Sequence, residues 1–123
     1  MPFAGLIGAE LVSVSPSEVR GRLEWAPERC TTGGILHGGV LMALADSVGA
    51  CCAALNLPAG AATATIESKT NFFRPVREGF VEAVSTPLHV GRTTIVVQTD
   101  LLDGKGRRVA RVTQTQAVIA SAP

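Results

Sequence analysis

The chain predicts an α+β fold, in which a curved antiparallel sheet of five to six strands wraps one long central helix. Three observations predict it. Val40 to Leu57 is apolar almost throughout and is broken by a single carboxylate, Asp46; a helix that is greasy on every side is expected to be buried on every side. The flanking segments read as strands, and the later ones are long and joined by short turns, which favours antiparallel pairing because parallel strands need long crossovers. A single sheet covers such a helix only by curving round it.

The elements follow in order. Ala9–Val14 and Glu18–Trp25 read as two strands joined through Ser15-Pro16-Ser17. In the second, Val19, Leu23 and Trp25 alternate with Glu18, Arg20, Arg22 and Glu24, the mark of a half-buried strand. Ala26–Leu36 carries Pro27, Gly33 and Gly34 and reads as a loop. The helix follows and stops near Asn56-Leu57-Pro58, with Gly60 beyond. In the next strand Ala64, Ile66, Ser68, Thr70 and Phe72 are expected to share one face, with Thr65, Glu67, Lys69 and Asn71 opposite, and Pro75 ends it. Phe80–Val90, Thr93–Leu102 and Arg108–Ile119 complete an antiparallel meander, with turns at Gly91-Arg92 and at the Asp103-Gly104 hairpin signal. No repeat or linker is visible, and residues 1–123 read as one domain.

Composition narrows the function. A hydrophobic fraction of 46% and a charged fraction of 17% exclude disorder. A net charge of +1 and few aromatic residues give no reason to expect a nucleic-acid partner. Cys30, Cys51 and Cys52 have no Cys-x-x-Cys spacing and read as small buried hydrophobes in a reducing compartment. Residues 1–10 lack the basic start and apolar run of a signal peptide, so a cytoplasmic location is expected. The Val40–Leu57 segment approaches membrane-span length, but Asp46 near its middle costs about 2.5–3.5 kcal/mol on insertion scales and no basic cluster flanks it. A buried core helix is the better reading, with no membrane partner.

A buried carboxylate is costly unless paired or used, so chemistry is sought around Asp46 and the glycines before it. Gly33-Gly34-Ile35-Leu36-His37-Gly38-Gly39 lacks the Lys-Ser/Thr of a phosphate loop. It reads instead as a helix N-terminus whose free N–H of Gly38 or Gly39 can reach a ligand oxygen, or as a glycine pair for close packing. Met42, Ala43, Gly49 and Ala50 surround Asp46 on the helix surface, and three of the four are small enough to leave a cavity. Asp46 is then a base or nucleophile, or a structural carboxylate bonded to backbone or to a strand Ser/Thr. It lies about 10–12 Å along the axis from Gly38-Gly39, so the two either serve separate purposes or act together from different chains. His37 positions a ligand oxygen or fixes the loop. Ser47 and His89 read as packing or surface residues. Neither a Cys30–His37 nucleophile pair nor a His37–Asp46–His89 metal site has supporting spacing.

The segment His37-Gly38-Gly39-Val40-Leu41-Met42-Ala43-Leu44-Ala45-Asp46 resembles the H-G-G-x(4)-L-A-[DE] motif of hotdog-fold acyl-CoA thioesterases of the phenylacetate-pathway and 4-hydroxybenzoyl-CoA types. Asn71-Phe72-Phe73-Arg74-Pro75 resembles their N-[FY]-[LF]-R-P strand end, and Gly91-Arg92-Thr93 their turn before the next strand. The resemblance runs from about Leu23 to Ile119. It implies a hotdog fold and hydrolysis of an acyl-CoA substrate. Asp46 is then the catalytic carboxylate, Gly38 the oxyanion amide and His37 a thioester-placing residue, acting across a homodimer that pairs into a tetramer. Gly39, Thr31, Asn71, Arg74, Gly91, Arg92 and Thr93 become the expected substrate-binding residues. Arg74 and Arg92 are favoured among the basic residues for the coenzyme A phosphates, and no metal or bound redox cofactor is implied. Thr31 stands where the aryl-CoA groups carry Gln or Asn, and Ala50 where they carry Ser or Thr. These departures favour the alternative of a non-catalytic acyl-CoA-binding module; a hydratase lacks its usual His/carboxylate pairing here.

Overall fold

The computed structural model of the chain describes residues 1–120. A short helix α1 (Pro2–Leu6) leads into β1 (Glu10–Ser15) and β2 (Glu18–Glu24). Two 3-10 turns, Pro27–Arg29 and Thr32–Gly34, precede the long helix α2 (Gly38–Ala54). β3 (Ala62–Phe72), β4 (Phe80–Val90), β5 (Thr94–Asp103) and β6 (Arg108–Ile119) follow. The six strands form one sheet in the order β1-β2-β4-β5-β6-β3, and every neighbouring pair is antiparallel. This is the expected α+β architecture but not a simple meander. α2 carries the chain across the sheet, so β3 pairs with β6 at the far edge and β2 pairs with β4.

Leu41, Leu44, Ala45, Val48, Gly49, Cys52 and Ala53 form the buried stripe of α2, at the i, i+3, i+4, i+7 spacing of one helix face. They pack on Val19 and Leu23 of β2, Val81 and Ala83 of β4, Ile95, Val97 and Leu101 of β5, and Val112 of β6. Leu44 has no exposed surface; removing such a side chain from water contributes about 1.5–3 kcal/mol. The helix is not buried all round, contrary to the expectation from its composition. The sheet covers one stripe and leaves Met42, Asp46 and Leu55 exposed.

β3 itself has no fully buried residue, and Ile66 (62%) and Phe72 (51%) are large apolar side chains in the open. Its simple alternation fails at Ile66. The pairing with β6 steps from Thr65↔Gln116 to Glu67↔Thr115, leaving Ile66 as the extra residue of a β-bulge. Phe72, Thr70 and Ser68 keep the expected face. Beyond the bulge Thr65 and Thr63 take it instead of Ala64, opposite Gln116 and Val118 on the helix side of β6.

Candidate active site

The loop before α2 is held from several sides. Thr31 N–H donates to the Ile35 carbonyl at 2.8 Å, Leu36 N–H to Val76 at 2.9 Å and His37 N–H to Arg29 at 2.9 Å. Between Thr31 and Ile35 the chain turns through Gly33 (φ 80°) and Gly34 (φ 72°), a left-handed pair that side chains disfavour. The Trp25 indole N–H and the Arg77 guanidinium donate to the carbonyls of Gly34 (3.0 Å) and Gly33 (3.3 Å).

This loop delivers His37 as the N-cap of α2. Its Nδ1 accepts the Gly39 N–H at 2.8 Å. A neutral imidazole accepting at Nδ1 carries its proton on Nε2, so His37 presents an N–H donor away from the helix. The Gly38 N–H has no partner among the described residues. The structure thereby separates the two glycines: the amide of Gly39 is used within the cap, and that of Gly38 is free. The Phe72 ring lies beside Gly38, with Cζ 3.3 Å from where a Cβ would sit. A cavity of ≈ 500 Å³ adjoins His37 and Gly39 and is walled by Phe3, Leu6, Ile7, Cys30, Val40 and Ala43 among others. Cys30 and His37 share this cavity, but the Cys30 thiol donates to the Ala26 carbonyl at 3.3 Å. Burial pushes the Cys52 thiol up to about 11, away from nucleophilic use.

Asp46 lies two turns further along α2, on the exposed side. Its Oδ1 accepts the Gln114 amide Nε2 at 2.7 Å and the Thr65 hydroxyl at 3.3 Å. The Thr65 hydroxyl accepts from Gln116 Nε2 at 2.8 Å, and Gln116 Oε1 accepts from Thr63 at 3.0 Å. Every donor in the chain Thr63, Gln116, Thr65 points toward the carboxylate, an arrangement in which each bond polarises the next. Asp46 Oδ2 has no protein partner among the described residues. Gln114, Gln116 and Thr65 escape the motif reading. A usable signal was present, since Gln114 and Gln116 occupy successive helix-facing positions of an otherwise apolar strand face.

The remaining residues fall into two groups. Asn71 and Arg74 lie at the Phe72 end of β3, close to Gly38; Asn71 points to the outer face opposite Arg111. Arg74, Arg77, Lys105 and Arg107 line a second cavity of ≈ 810 Å³ together with Glu78 and Asp103. Gly91, Arg92 and Thr93 lie at the opposite end. Phe72 pairs with Ala110 and Thr94 with Ala117 of the same strand, a separation of about 23 Å at 3.3 Å per residue. Thr31 is exposed at the loop start, and His89 is exposed on β4. No group of three metal-ligating side chains is close enough to hold an ion among the described residues.

The model of the thioesterase superfamily matches residues 33–110, from the loop glycines to the start of β6. The chain belongs to that superfamily. It is 35% identical over 86 residues to the 1,4-dihydroxy-2-naphthoyl-CoA hydrolase of Escherichia coli, covering 70% of this chain and 63% of that protein. It spans 49% and 60% of the lengths of two relatives, from Haemophilus influenzae and Vibrio cholerae, that are provisionally named esterases. The crystal structure of a Haemophilus influenzae thioesterase superposes with a TM-score of 0.94 at 27% identity, covering 98% of this chain and 85% of that one. A phenylacetic acid degradation protein of Thermus thermophilus superposes at 0.87 with 27% identity, covering 95% and 98%. The fold is thus the hotdog fold of this superfamily, and thioester hydrolysis is the chemistry against which the site is read. Among the described residues no helix is long and apolar enough to cross a membrane.

Proposed function

We propose that this thioesterase-superfamily chain hydrolyses a small or medium acyl-CoA thioester to the free acid and coenzyme A, in sites shared between two subunits. The observation that carries the reading is a partnerless Gly38 amide at the start of α2, beside the His37 Nε2–H, on the same helix as a carboxylate with one oxygen pinned and one free. The Gly38 N–H donates to the thioester oxygen as charge develops there, where such a donor stabilises the transition state by about 2.7–4 kcal/mol. The His37 Nε2–H supplies a second donor to the same carbonyl. Asp46 acts through Oδ2, either attacking the thioester carbon or taking a proton from the attacking water. In both routes the C–S bond breaks and the sulfur leaves as the thiolate of coenzyme A; in the first, water then cleaves the acyl–Asp46 anhydride, which releases the acid and restores the carboxylate.

One helix cannot bring both groups to one carbonyl. Gly38 and Asp46 are about 12 Å apart along the axis. Antiparallel pairing of β3 with its copy in a second subunit reverses the order. The partner's Thr65–Asp46 end then approaches this chain's Phe72–Gly38 end, and the partner's Gly91-Arg92-Thr93 turn approaches Asn71 and Arg74. The exposed Ile66, Phe72 and Met42 support such an interface, as does the unpaired edge of β3. Arg74, Arg77 and Lys105 on one chain and Arg92 on the other provide cations for the coenzyme A phosphates.

The test is thiol release over a panel of acyl-CoA esters with wild type and Asp46→Asn, alongside coenzyme A binding. Loss of about a thousandfold or more in kcat with binding retained is the expected result. Release within tenfold of wild type removes Asp46 from the reaction. Tight ester binding by wild type with no thiol release indicates the non-catalytic binding module instead.

A further inference from the structure

We infer that Gln114 is a positioning residue that turns the Asp46 carboxylate so that Oδ2 faces the substrate, and that Gly49 serves to admit it. This rests on the reading of Asp46 as the reacting carboxylate. Gln114 is fully buried on the helix side of β6, where its neighbours along the strand are Val112 and Gln116. Its Nε2 donates to Asp46 Oδ1 at 2.7 Å, while its Oε1 is buried with no partner. Ser85 and Thr99 are bonded to each other at 2.6 Å, and neither hydroxyl bonds to that orphan. A buried acceptor without a partner is unfavourable, and an apolar residue of the same shape would avoid it. Nothing structural requires an amide here; its one satisfied bond is to Asp46.

Gly49 lies against the same amide. A Cβ on Gly49 would collide with Gln114 Oε1 and sit 3.4 Å from the Thr99 hydroxyl. Gly49 is one turn beyond Asp46 on α2, so the absence of its side chain lets the amide lie along the helix and reach the carboxylate. Among the described residues Asp46 bonds to no charged group; Glu10 of β1 lines a separate cavity with Ser47 and Cys51 of α2. α2 carries no second charged side chain, and its only titratable groups besides Asp46 are Cys51 and Cys52, with His37 at its cap. The helix-facing positions of β2, β4, β6 and β3 are uncharged. β5 has only Asp103 at its far end, bonded to Arg107. Glu67, Lys69 and Arg111 occupy the opposite face.

The test compares Gln114→Met, Gly49→Ala and their double variant with wild type, in kcat, KM and melting temperature. Gln114→Met removes both the donor and the orphaned acceptor at similar volume. We expect a melting temperature equal to or above wild type and a fall in kcat of about tenfold or more, the worth of one hydrogen bond to an ionised group. KM should be little changed, so the loss falls on turnover and not on substrate binding. Gly49→Ala should give the same kinetic changes by displacing the amide, and the double variant should be no slower than Gln114→Met alone. A Gln114→Met protein with wild-type kcat overturns the inference. So does one that fails to fold, or that loses stability and activity together, since either assigns Gln114 to packing. If Asp46→Asn is active, the reading of the site fails first; if Asp46→Asn is dead and Gln114→Met is not, only this inference fails.

Discussion

Replacing Gly38 by proline separates the chemistry of its amide from the fold. Gly38 is the first residue of α2 and its N–H has no partner among the described residues, so proline removes none of their hydrogen bonds and suits the first helical position. His37 before it has φ −61° and ψ 133°, the extended region that a residue preceding proline prefers. The steric demand is small, because Phe72 Cζ at 3.3 Å from the new Cβ has to give by only a few tenths of an ångström. The variant should therefore unfold within about 1 kcal/mol of wild type. Losing one oxyanion donor should lower kcat by about 10²–10³-fold. Thiol release by Ellman's reagent measures the rate, and a circular-dichroism melt on the same sample measures the fold. A folded Gly38→Pro protein whose kcat lies within about threefold of wild type removes the Gly38 amide from the mechanism. The same variant tests the shared site. When Gly38→Pro and Asp46→Asn chains are refolded together at random, half the dimers are mixed, and each mixed dimer holds one intact site. Up to about a quarter of wild-type activity should return. Mixed dimers shown to form but remaining inactive rule out sites built from two chains.

Other outcomes follow from the cap and from the carboxylates. His37→Asn keeps a side-chain acceptor for the Gly39 amide but loses the Nε2–H donor, so activity should fall at nearly constant melting temperature. His37→Ala should lose the cap as well, at about 1 kcal/mol; a His37→Asn protein as active as wild type would falsify the donor role. Burial pushes the Asp103 carboxyl up, but the Arg107 and Lys105 amides and the Arg107 guanidinium outweigh it and hold it below its ordinary value. The Arg20 guanidinium, against burial and with help from Arg22, does the same for Glu82. Carboxyls depressed in the folded state stabilise it fully above their unfolded values and lose that contribution as pH falls through the depressed ones. Urea midpoints should therefore hold near neutrality and drop below about pH 4. Asp103→Asn should flatten part of that drop, and an unchanged acid limb in this variant would remove Asp103 from it.

What the sequence made legible was what periodicity and motif can carry. α2 is read from its long apolar run, β2 from the alternation of Val19 and Leu23 with charged residues, and the hairpin from its Asp103-Gly104 turn residues. α1, at five residues, is too short to display a helical period. The bulge at Ile66 was invisible for a different reason. Thr63, Ala64 and Thr65 are all compatible with either face, so shifting the alternation by one residue breaks no hydrophobic pattern that a reader could detect. Yet that shift turns Thr65 toward Asp46 and aligns it with Gln116. Asp46 shows the complementary failure. Apolar residues on every side of α2 record how much of the helix is favourably buried, but not by what. The chain's own sheet covers only the Leu41–Ala53 stripe, and Met42, Asp46 and the outer length of β3 remain open together. A second subunit joined by antiparallel pairing along the β3 edge would account for the apolar residues that one sheet leaves uncovered. It would also place a carboxylate that is solvent-exposed in one chain in the enclosed setting that its surrounding residues led us to expect.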